Sequence, residues 1–312
     1  MKVFAVKHKD ETTRAKSRSG GIFTAISGQF LNGGVVYGCV LDGEFNAIHI
    51  RVEDKSGRDK MRGSKYIQSK MGDCFKQVKK DLDEGRKVLF SGTSCQVAGL
   101  HCYLQKDYSN LLCVDIVCHG VPSPKVWHKY LDWISEGRKV TEVDFRNKTD
   151  FGWAAHVETI RMGDDKKDSE VFKNLFCGHN VLRPSCYECP YKSVHHPGDI
   201  TIADYWGIDN AAPGFNDNKG VSLVLVNTEK GQEYFEKAKN DVEWRETRIE
   251  DSMQPPLKAP FPRPKERNQF WKDFESKEFS YIAKKYGMIK KPSLLKRCAR
   301  KAKSRLKGLM QR

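Results

Sequence analysis

Four cysteines occupy positions from which they could bind one metal centre. Cys186 and Cys189 form the C-x-x-C pair of CYECP, a spacing that lets two thiolates hold a metal from a tight turn. Cys95 follows the apolar run of VLFSGTSCQVAGL, and Cys118 follows that of DIVCHGVPSP. Four thiolates are the ligands of a four-iron, four-sulfur (4Fe–4S) cluster or of a structural zinc ion. Cys95 could alternatively be a nucleophilic or redox thiol, because a helix N-terminus lowers the pKa of a cysteine.

The segments that contain Cys95 and Cys118 predict a parallel βαβ unit. We expect a strand over residues 88–90, a helix over about 94–105 and a strand over 111–117. Both strands would end at the same edge of the sheet, which is where open α/β sheets bind ligands. The two thiols are therefore expected to lie near each other.

The rest of the chain predicts an α/β fold with α+β elaborations, in which helices flank a mixed β-sheet. A helix is expected after SRSGG, and two paired strands are expected in VVYGCVLD and AIHIRV. The segment KYIQSKMGDCFKQVKKDLDEG predicts an amphipathic helix that ends at Gly85. A cysteine-rich loop, which would bind the metal centre, precedes the strand of DITIADYWG. Cys74 and Cys102 fall on predicted helix faces, and we do not expect them to bind metal.

Five prolines between Pro255 and Pro264 mark the end of the predicted compact body, because proline interrupts helices and sheets. The expected organisation is a body over residues 1–250, comprising an N-terminal part (1–85) and a C-terminal part (86–250), then a Pro-rich, basic extension (251–292) and a basic amphipathic helix (293–312).

The positive charge of the chain is concentrated near its C-terminus. The net charge of the 312 residues is +15, and Asp251–Arg312 alone holds 18 Lys and Arg against 5 Asp and Glu, which leaves +2 for the first 250 residues. This distribution argues against a nucleic-acid-binding core. The chain has no apolar run of about 18 residues and no apolar stretch at its start, so we expect the cytoplasm. In a reducing compartment, cysteines favour metal binding or redox chemistry over disulfides.

The predicted C-terminal helix over residues 293–312 is amphipathic. On a helical wheel its apolar residues fall within about 160° of arc, and most of its Lys and Arg residues fall on the other side. Such a helix suits an anionic membrane surface, which would place the protein at the inner face of the membrane. The alternatives are a helix packed on the body and a solvated tail.

Two glycine-containing loops are candidate sites for an anionic cofactor. Ser19, Gly20 and Gly21 precede a predicted helix with free backbone N–H groups, which suits a phosphate. Ordinary N-capping by Ser19 is the alternative. Lys65 and Tyr66 follow an arginine and a glycine in RGSKY, which could hold an anion or form a solvated loop.

His119 and Asp204 are the candidates for proton transfer. Both follow predicted strand ends, and His119 adjoins Cys118. A purely structural role is the alternative, and the residues alone assign no catalytic group.

Seven segments in a fixed order resemble the coenzyme F-420 hydrogenase/dehydrogenase β-subunit family: SRSGGIFTAI, VYGCVLD, RGSKYIQS, VLFSGTSCQVAGL, DIVCHGVPSPKVW, FRNK…GW and CYECPYK…DITIADYWGI. The resemblance covers about residues 1–225. It implies a flavoprotein that binds FAD and a 4Fe–4S cluster and passes electrons between the cluster and a hydride-accepting substrate. In the archaeal hydrogenases of the family this substrate is the deazaflavin coenzyme F-420.

The resemblance assigns roles by position. The family's Gly-Thr-Pro-Cys-Gln is similar to Gly92–Gln96, with Ser94 in place of proline, and its Gly-Asp-Phe-Trp-Gly is similar to Ala203–Gly207. The implied cluster ligands are Cys95, Cys118, Cys186 and Cys189. The implied flavin-site residues are Ser19, Gly20, Gly21, Lys65 and Tyr66.

Two departures from the family pattern affect the expected partners. Many members carry an N-terminal ferredoxin-like segment, which this sequence lacks, so we expect a separate, ferredoxin-like electron-donor protein. The alternative is that the protein receives electrons by another route. The length and the basic tail resemble the family members from surface-polysaccharide loci, so the expected substrate is a small molecule or a glycan precursor. The alternative function is a non-catalytic partner or scaffold of a glycan-assembly system, with a structural zinc on the same four cysteines.

Overall fold

The computed structural model describes residues 1–288, and the predicted C-terminal amphipathic helix over residues 293–312 lies outside the described residues. Its strands are β1 (Lys2–His8), β2 (Val35–Leu41), β3 (Ala47–Val52), β4 (Val88–Thr93), β5 (Leu111–Ile116), β6 (Glu142–Asp144), β7 (Glu158–Met162), β8 (Asp165–Ser169), β9 (Ile200–Asp204), β10 (Ser222–Val226) and β11 (Val242–Thr247).

The main sheet is mixed and has eight strands in the order β11-β1-β10-β9-β5-β4-β2-β3. The central strands β9, β5, β4 and β2 are parallel, and the outer pairs are antiparallel. The carboxyl ends of β4, β5 and β9 therefore meet at one edge of the sheet, as expected for Cys95 and Cys118. This arrangement confirms the predicted α/β class and its mixed sheet.

Helices cover both faces of the main sheet. The helices are α1 (Glu11–Lys16), α2 (Ile22–Gly28), α3 (Lys55–Asp59), α4 (Cys74–Asp83), α5 (Ser94–Leu104), α6 (Pro124–Ser135), α7 (Lys148–Phe151), α8 (Val171–Cys177), α9 (Ile208–Ala211), α10 (Glu229–Ala238), α11 (Arg267–Ser276) and α12 (Phe279–Ile282).

Side chains of the central strands point alternately to the two faces of the sheet and pack in two separate hydrophobic cores. Leu89 and Leu112 point to the core that α2 and α10 cover, whereas Phe90 and Leu111 point to the core that α4 and α5 cover. All four side chains are buried. Each such burial stabilises the fold by about 1.5–3 kcal/mol, which explains the unbroken apolar runs of these strands.

A second, antiparallel sheet of β6, β7 and β8 lies beside the main one and shares a core with α6 and α8. The segment after the prolines joins this core, because Phe270 and Phe274 of α11 and Phe279 and Ile282 of α12 are buried in it. Helices beyond residue 250 thus complete the packing of the predicted body.

The helix predicted to start near Lys65 begins only at Cys74. Residues 65–72 instead run along the wall of a large cavity, and Gly72 adopts a left-handed φ of 48° that ends any regular helix there.

Candidate functional site

A cavity of about 890 Å³ opens at the edge where β4, β5 and β9 end. Its wall includes most of the residues that the sequence predicts for the site. They are Ser19, Gly21, Lys65, Tyr66, Cys95, Cys118, His119 and Asp204. Three further predicted residues, Gly20, Cys186 and Cys189, lie next to this wall and do not line the cavity itself.

Cys95 lies in the first turn of α5, at the carboxyl end of β4. Thr93 caps the helix in a capping box with Gln96, whose side-chain oxygen accepts a hydrogen bond from the Thr93 N–H at 2.9 Å. The Thr93 hydroxyl is 3.2 Å from the Cys95 sulfur. The turn thus fixes an exposed thiol at the sheet edge.

Cys118 and Cys186 lie in two loops that pair with each other through their backbones. The Arg183 N–H donates to the Val121 carbonyl at 2.9 Å, which lays the cysteine-rich loop along the turn after β5. The Gly120 N–H lies near the Cys118 sulfur and the Val121 N–H lies near the Cys186 sulfur, and each lowers the pKa of its thiol. Two neighbouring backbone donors therefore serve two of the predicted ligands.

The predicted ligands affect one another electrostatically. Burial raises the pKa of the Cys118 thiol to about 12, and the nearby Cys95 and Cys186 contribute to this rise. Burial also raises the pKa of Cys186, to which Cys189 and Cys95 add. The buried Lys192 opposes these shifts for Cys118 and Cys186, and it donates to the His119 carbonyl at 2.9 Å. The structure thus brings the four predicted thiols into one neighbourhood with a cation beside them.

Within residues 1–288, no three His, Cys, Asp or Glu side chains converge closely enough to hold a single metal ion. A lone zinc ion needs its sulfurs on a tetrahedron with bonds of about 2.3 Å. A four-iron cluster is wider than one ion, so it takes thiolates that stand further apart.

The Ser-Gly-Gly loop is fixed by contacts with the main sheet. A Cβ on Gly20 would lie 2.0 Å from the Val6 carbonyl oxygen, so only glycine fits between β1 and β10. Gly21, with a φ of 92°, is the N-cap of α2. Ser19 does not cap this helix, because its hydroxyl donates to the Val221 carbonyl at 2.6 Å.

The Lys65 side chain forms hydrogen bonds within its own loop. Its ammonium donates to the carbonyls of residues 60–63 at 2.8–3.1 Å. Removal from water lowers the pKa of Lys65 to about 8. Lys65 therefore shapes the cavity wall at the place where the sequence predicts an anion contact.

Asp204 is paired rather than free. One of its carboxylate oxygens accepts from Arg146 at 2.6 Å, and the other accepts from the indole of Trp153 at 3.2 Å. Arg146 also lies 3.4 Å from the Tyr66 hydroxyl, and the Trp206 ring stacks on Trp153. Asp204 thus orients other groups of the wall, and its predicted role in proton transfer stays a prediction.

His119 forms a pair with His179, whose Nε2 atoms lie 2.9 Å apart. Burial, together with His179 and Lys192, lowers the pKa of His119 to about 3. Both rings pack on Phe261. His119 is therefore a neutral imidazole at neutral pH.

The wall of the cavity carries an excess of positive charge. Among the described residues, Asp204 is the one carboxylate that lines the cavity, whereas six cations line it, namely Arg18, Arg62, Lys65, Arg146, Lys173 and Arg183. The buried Nε of Arg18 has no hydrogen-bond partner among residues 1–288, so one donor at the wall is unused there. This arrangement fits an anionic cofactor.

Arg18, Arg146 and His179 are site residues that sequence reasoning did not single out. Arg18 and Arg146 lie in the quoted motifs SRSGG and FRNK. Their contacts with the rest of the cavity wall depend on the tertiary fold, so the motifs alone did not identify them as site residues. His179 follows α8 without any motif, and it has no signal in the sequence.

Known proteins share the fold of this chain and part of its sequence. A family model for the C terminus of the beta subunit of coenzyme F-420 hydrogenase/dehydrogenase matches residues 85–252. Among solved structures, a chain of the F-420-reducing nickel–iron hydrogenase complex from Methanosarcina barkeri, studied by xenon derivatization, is similar with a TM-score of 0.56 and 18% identity. The similarity covers 82% of this chain and 84% of that chain, and it shows a shared fold. None of the curated proteins matches. Within the described residues, each helix is too short or too polar to cross a membrane.

Proposed function

Because the chain belongs to the coenzyme F-420 hydrogenase/dehydrogenase β-subunit family, we propose that it is an iron–sulfur flavoprotein oxidoreductase that uses a 4Fe–4S cluster and FAD. When bound, the cluster supplies single electrons and the flavin supplies hydride transfer to a substrate. One observation carries the proposal: Cys95 and Cys118 line the same cavity as the predicted flavin loops, and Cys186 and Cys189 lie next to it.

In this proposal the chain holds the cluster through Cys95, Cys118, Cys186 and Cys189. Hydrogen bonds to sulfur and nearby charge tune the potential of such clusters. The Gly120 and Val121 N–H groups already serve two of the sulfurs, and Lys192 lies beside them. These groups stabilise thiolates, which is the state in which cysteine binds metal.

The cavity wall would hold the flavin. The volume of the cavity, about 890 Å³, lies within the roughly 300–1,000 Å³ that is typical of cofactor sites. Arg18 offers an unused buried donor, and Arg62 is held against α2 by the Thr24 hydroxyl at 3.0 Å. These cations suit a pyrophosphate, and Tyr66 offers an aromatic surface beside them.

The experiment is anaerobic purification of the full chain followed by absorption spectroscopy, metal analysis and flavin analysis. We expect brown protein with a broad band near ~400 nm and about four irons per chain, together with released FAD. Cys118→Ser should lose most of the iron. Cys102→Ser is the matched control, because Cys102 is an exposed cysteine of α5 outside the predicted ligand set. Colourless protein with one zinc per chain would overturn the proposal in favour of a zinc-bearing scaffold.

The partners in this proposal are a separate, ferredoxin-like electron-donor protein and a small-molecule or glycan-precursor substrate. Support for a protein partner comes from the similar chain of known structure, which is part of a hydrogenase complex. In this proposal the reaction takes place in the cytoplasm and is a step of surface-polysaccharide biosynthesis. The likeness to polysaccharide-locus members of the family supports this assignment. No nucleic acid is involved in this proposal.

A further inference from the structure

Glu158 is a buried carboxyl group without a hydrogen-bond partner among residues 1–288. It lies at the start of β7, its exposed fraction is 0%, and both of its carboxyl oxygens are left unpaired there. A buried polar group left unpaired is costly and calls for a physical reason. An ionised carboxylate there would be costlier still, so Glu158 is held as the neutral acid.

His156 connects Glu158 to the cavity. Its Nε2 is buried, has no hydrogen-bond partner in the described part of the chain and lies 3.9 Å from Oε1 of Glu158. The imidazole lines the cavity and packs against the Tyr66 ring at 5.1 Å. With Nε2 turned toward Glu158, Nδ1 is the nitrogen left to serve a bound molecule.

Burial favours the neutral form of both Glu158 and His156. Burial raises the pKa of Glu158 well above its ordinary value. The nearby backbone N–H groups of Lys173 and Glu158 and the charge of Lys173 in α8 oppose this rise, and Glu170 supports it. Burial lowers the pKa of His156 to about 2, to which Arg146, Lys173, Arg18 and His119 add. The other titratable groups that face Glu158 are Tyr130 of α6 and Cys177 of α8.

We propose that Glu158 and His156 form a proton-delivery pair, in which Glu158 stores a proton and His156 passes it to the molecule bound in the cavity. This inference rests on the proposed function, because it supplies the proton that hydride chemistry needs. A substrate that accepts a hydride gains two electrons and one hydrogen nucleus, and a stable neutral product requires one further proton.

The relay balances without a charged imidazole. The 3.9 Å contact first has to shorten to hydrogen-bond distance. As Nδ1–H then gives its proton to the substrate, Nε2 takes the proton of the Glu158 acid, so the histidine changes tautomer and stays neutral. The hydride donor is oxidised, the substrate is reduced, and Glu158 becomes a carboxylate. Solvent then reprotonates Glu158 through His156 and the cavity.

Infrared spectroscopy of the full chain, without substrate, tests the stored proton. We expect a carbonyl band of a protonated carboxylic acid at pH 7, which disappears in Glu158→Gln. Asp217→Asn is the control, because Asp217 is ionised and its removal should leave the band intact. If Glu158→Gln fails to fold, glutamate labelled with ¹³C at the carboxyl assigns the band in the wild type. Absence of the band at pH 7 would overturn the proposal.

Exchange of this band in heavy water tests the relay. The wild type should exchange quickly, whereas His156→Phe should slow the exchange at least ten-fold, because it cuts Glu158 off from the cavity. His49→Phe, at another cavity histidine, should exchange like the wild type. Equal rates in the wild type and His156→Phe would refute the relay. Failure of the proposed function would differ, since it would appear as missing flavin and iron whatever the band does.

Discussion

The Arg146 guanidinium joins three parts of the cavity wall. It pairs with Asp204 at the end of β9, donates to the Trp153 carbonyl at 3.0 Å and lies beside the Tyr66 hydroxyl. Only 5% of the Arg146 side chain and 10% of the Asp204 side chain are exposed. A charge so far from water depends on its partner, because an unpaired buried ion is strongly destabilising.

Replacing Asp204 should therefore destabilise the fold. Asp204→Asn keeps the size of the side chain but leaves the Arg146 charge uncompensated, and we expect a loss of roughly 3 kcal/mol in the free energy of unfolding. Urea unfolding at pH 7 measures it. Asp251→Asn, which breaks the surface pair with the exposed Arg248, should leave the unfolding curve nearly unchanged. Equal effects of the two variants would contradict the buried-pair interpretation.

The ion pair between Arg14 and Asp217 makes stability depend on pH. Partial burial would raise the pKa of Asp217, but hydrogen bonds from Arg14 and from the Lys219 N–H outweigh it and lower the pKa to about 2. Because the folded pKa lies below the ordinary 3.8, this stabilisation is present above about pH 4 and is lost as the pH falls toward 2.

Asp217→Asn should accordingly cost about 1 kcal/mol at pH 7, a value reduced because the Asp217 side chain is 38% exposed. The difference from the wild type should shrink between pH 4 and pH 2. Thermal unfolding of both proteins across this range measures it, and a difference that stays constant down to pH 2 would contradict the assignment.

At the scale of elements, His196 ties together the three segments that carry the predicted cluster ligands. Its Nδ1 lies 3.1 Å from the Ser94 hydroxyl, next to Cys95, and 3.0 Å from the Asp115 carboxylate in β5, the strand before Cys118. His196 itself follows the cysteine-rich loop. The side chains of His196 and Asp115 are 1% and 0% exposed, so the link is shielded from solvent.

His196→Ala should therefore weaken cluster retention without unfolding the protein. We expect anaerobically purified His196→Ala to hold less than half of the wild-type iron, with an unchanged far-ultraviolet circular dichroism spectrum. His195→Ala is the matched control, because His195 is the exposed neighbour and its side chain makes none of these contacts. Full iron content in His196→Ala would show that the segments hold their positions without this link.

Local pattern was enough to predict the βαβ unit, because β4, α5 and β5 are continuous apolar or amphipathic runs with clear turns between them. The local pattern did not predict β8, because its residues DKKDS lack an apolar face. They form a strand through pairing with the neighbouring β7. The meeting of Cys95 with Cys118 followed from parallel topology. The approach of Cys186 depends on the pairing of residues 121–123 with 181–183, which no local signal encodes.

At the scale of the whole molecule, positive charge is unevenly distributed along the chain. Six Lys and Arg side chains of the body line the cavity, where they suit an anionic cofactor, while Lys284–Arg312 contains 12 Lys and Arg and no Asp or Glu. A polybasic segment gains about 1 kcal/mol per Lys or Arg near an anionic surface. We therefore predict that this basic segment binds an anionic membrane surface.

Removing residues 290–312 should abolish co-sedimentation with anionic vesicles. The deletion removes 10 of these 12 cations, all except Lys284 and Lys285, and with them the apolar residues of the predicted amphipathic helix. Because exposed charges are screened within about 8 Å at 0.15 M salt, binding of the full chain should weaken as salt rises. The double variant Leu306→Ser with Leu309→Ser keeps every charge, so partial loss would show that apolar burial contributes. Co-sedimentation of the truncated chain at the level of the full chain would instead place membrane contact on the body.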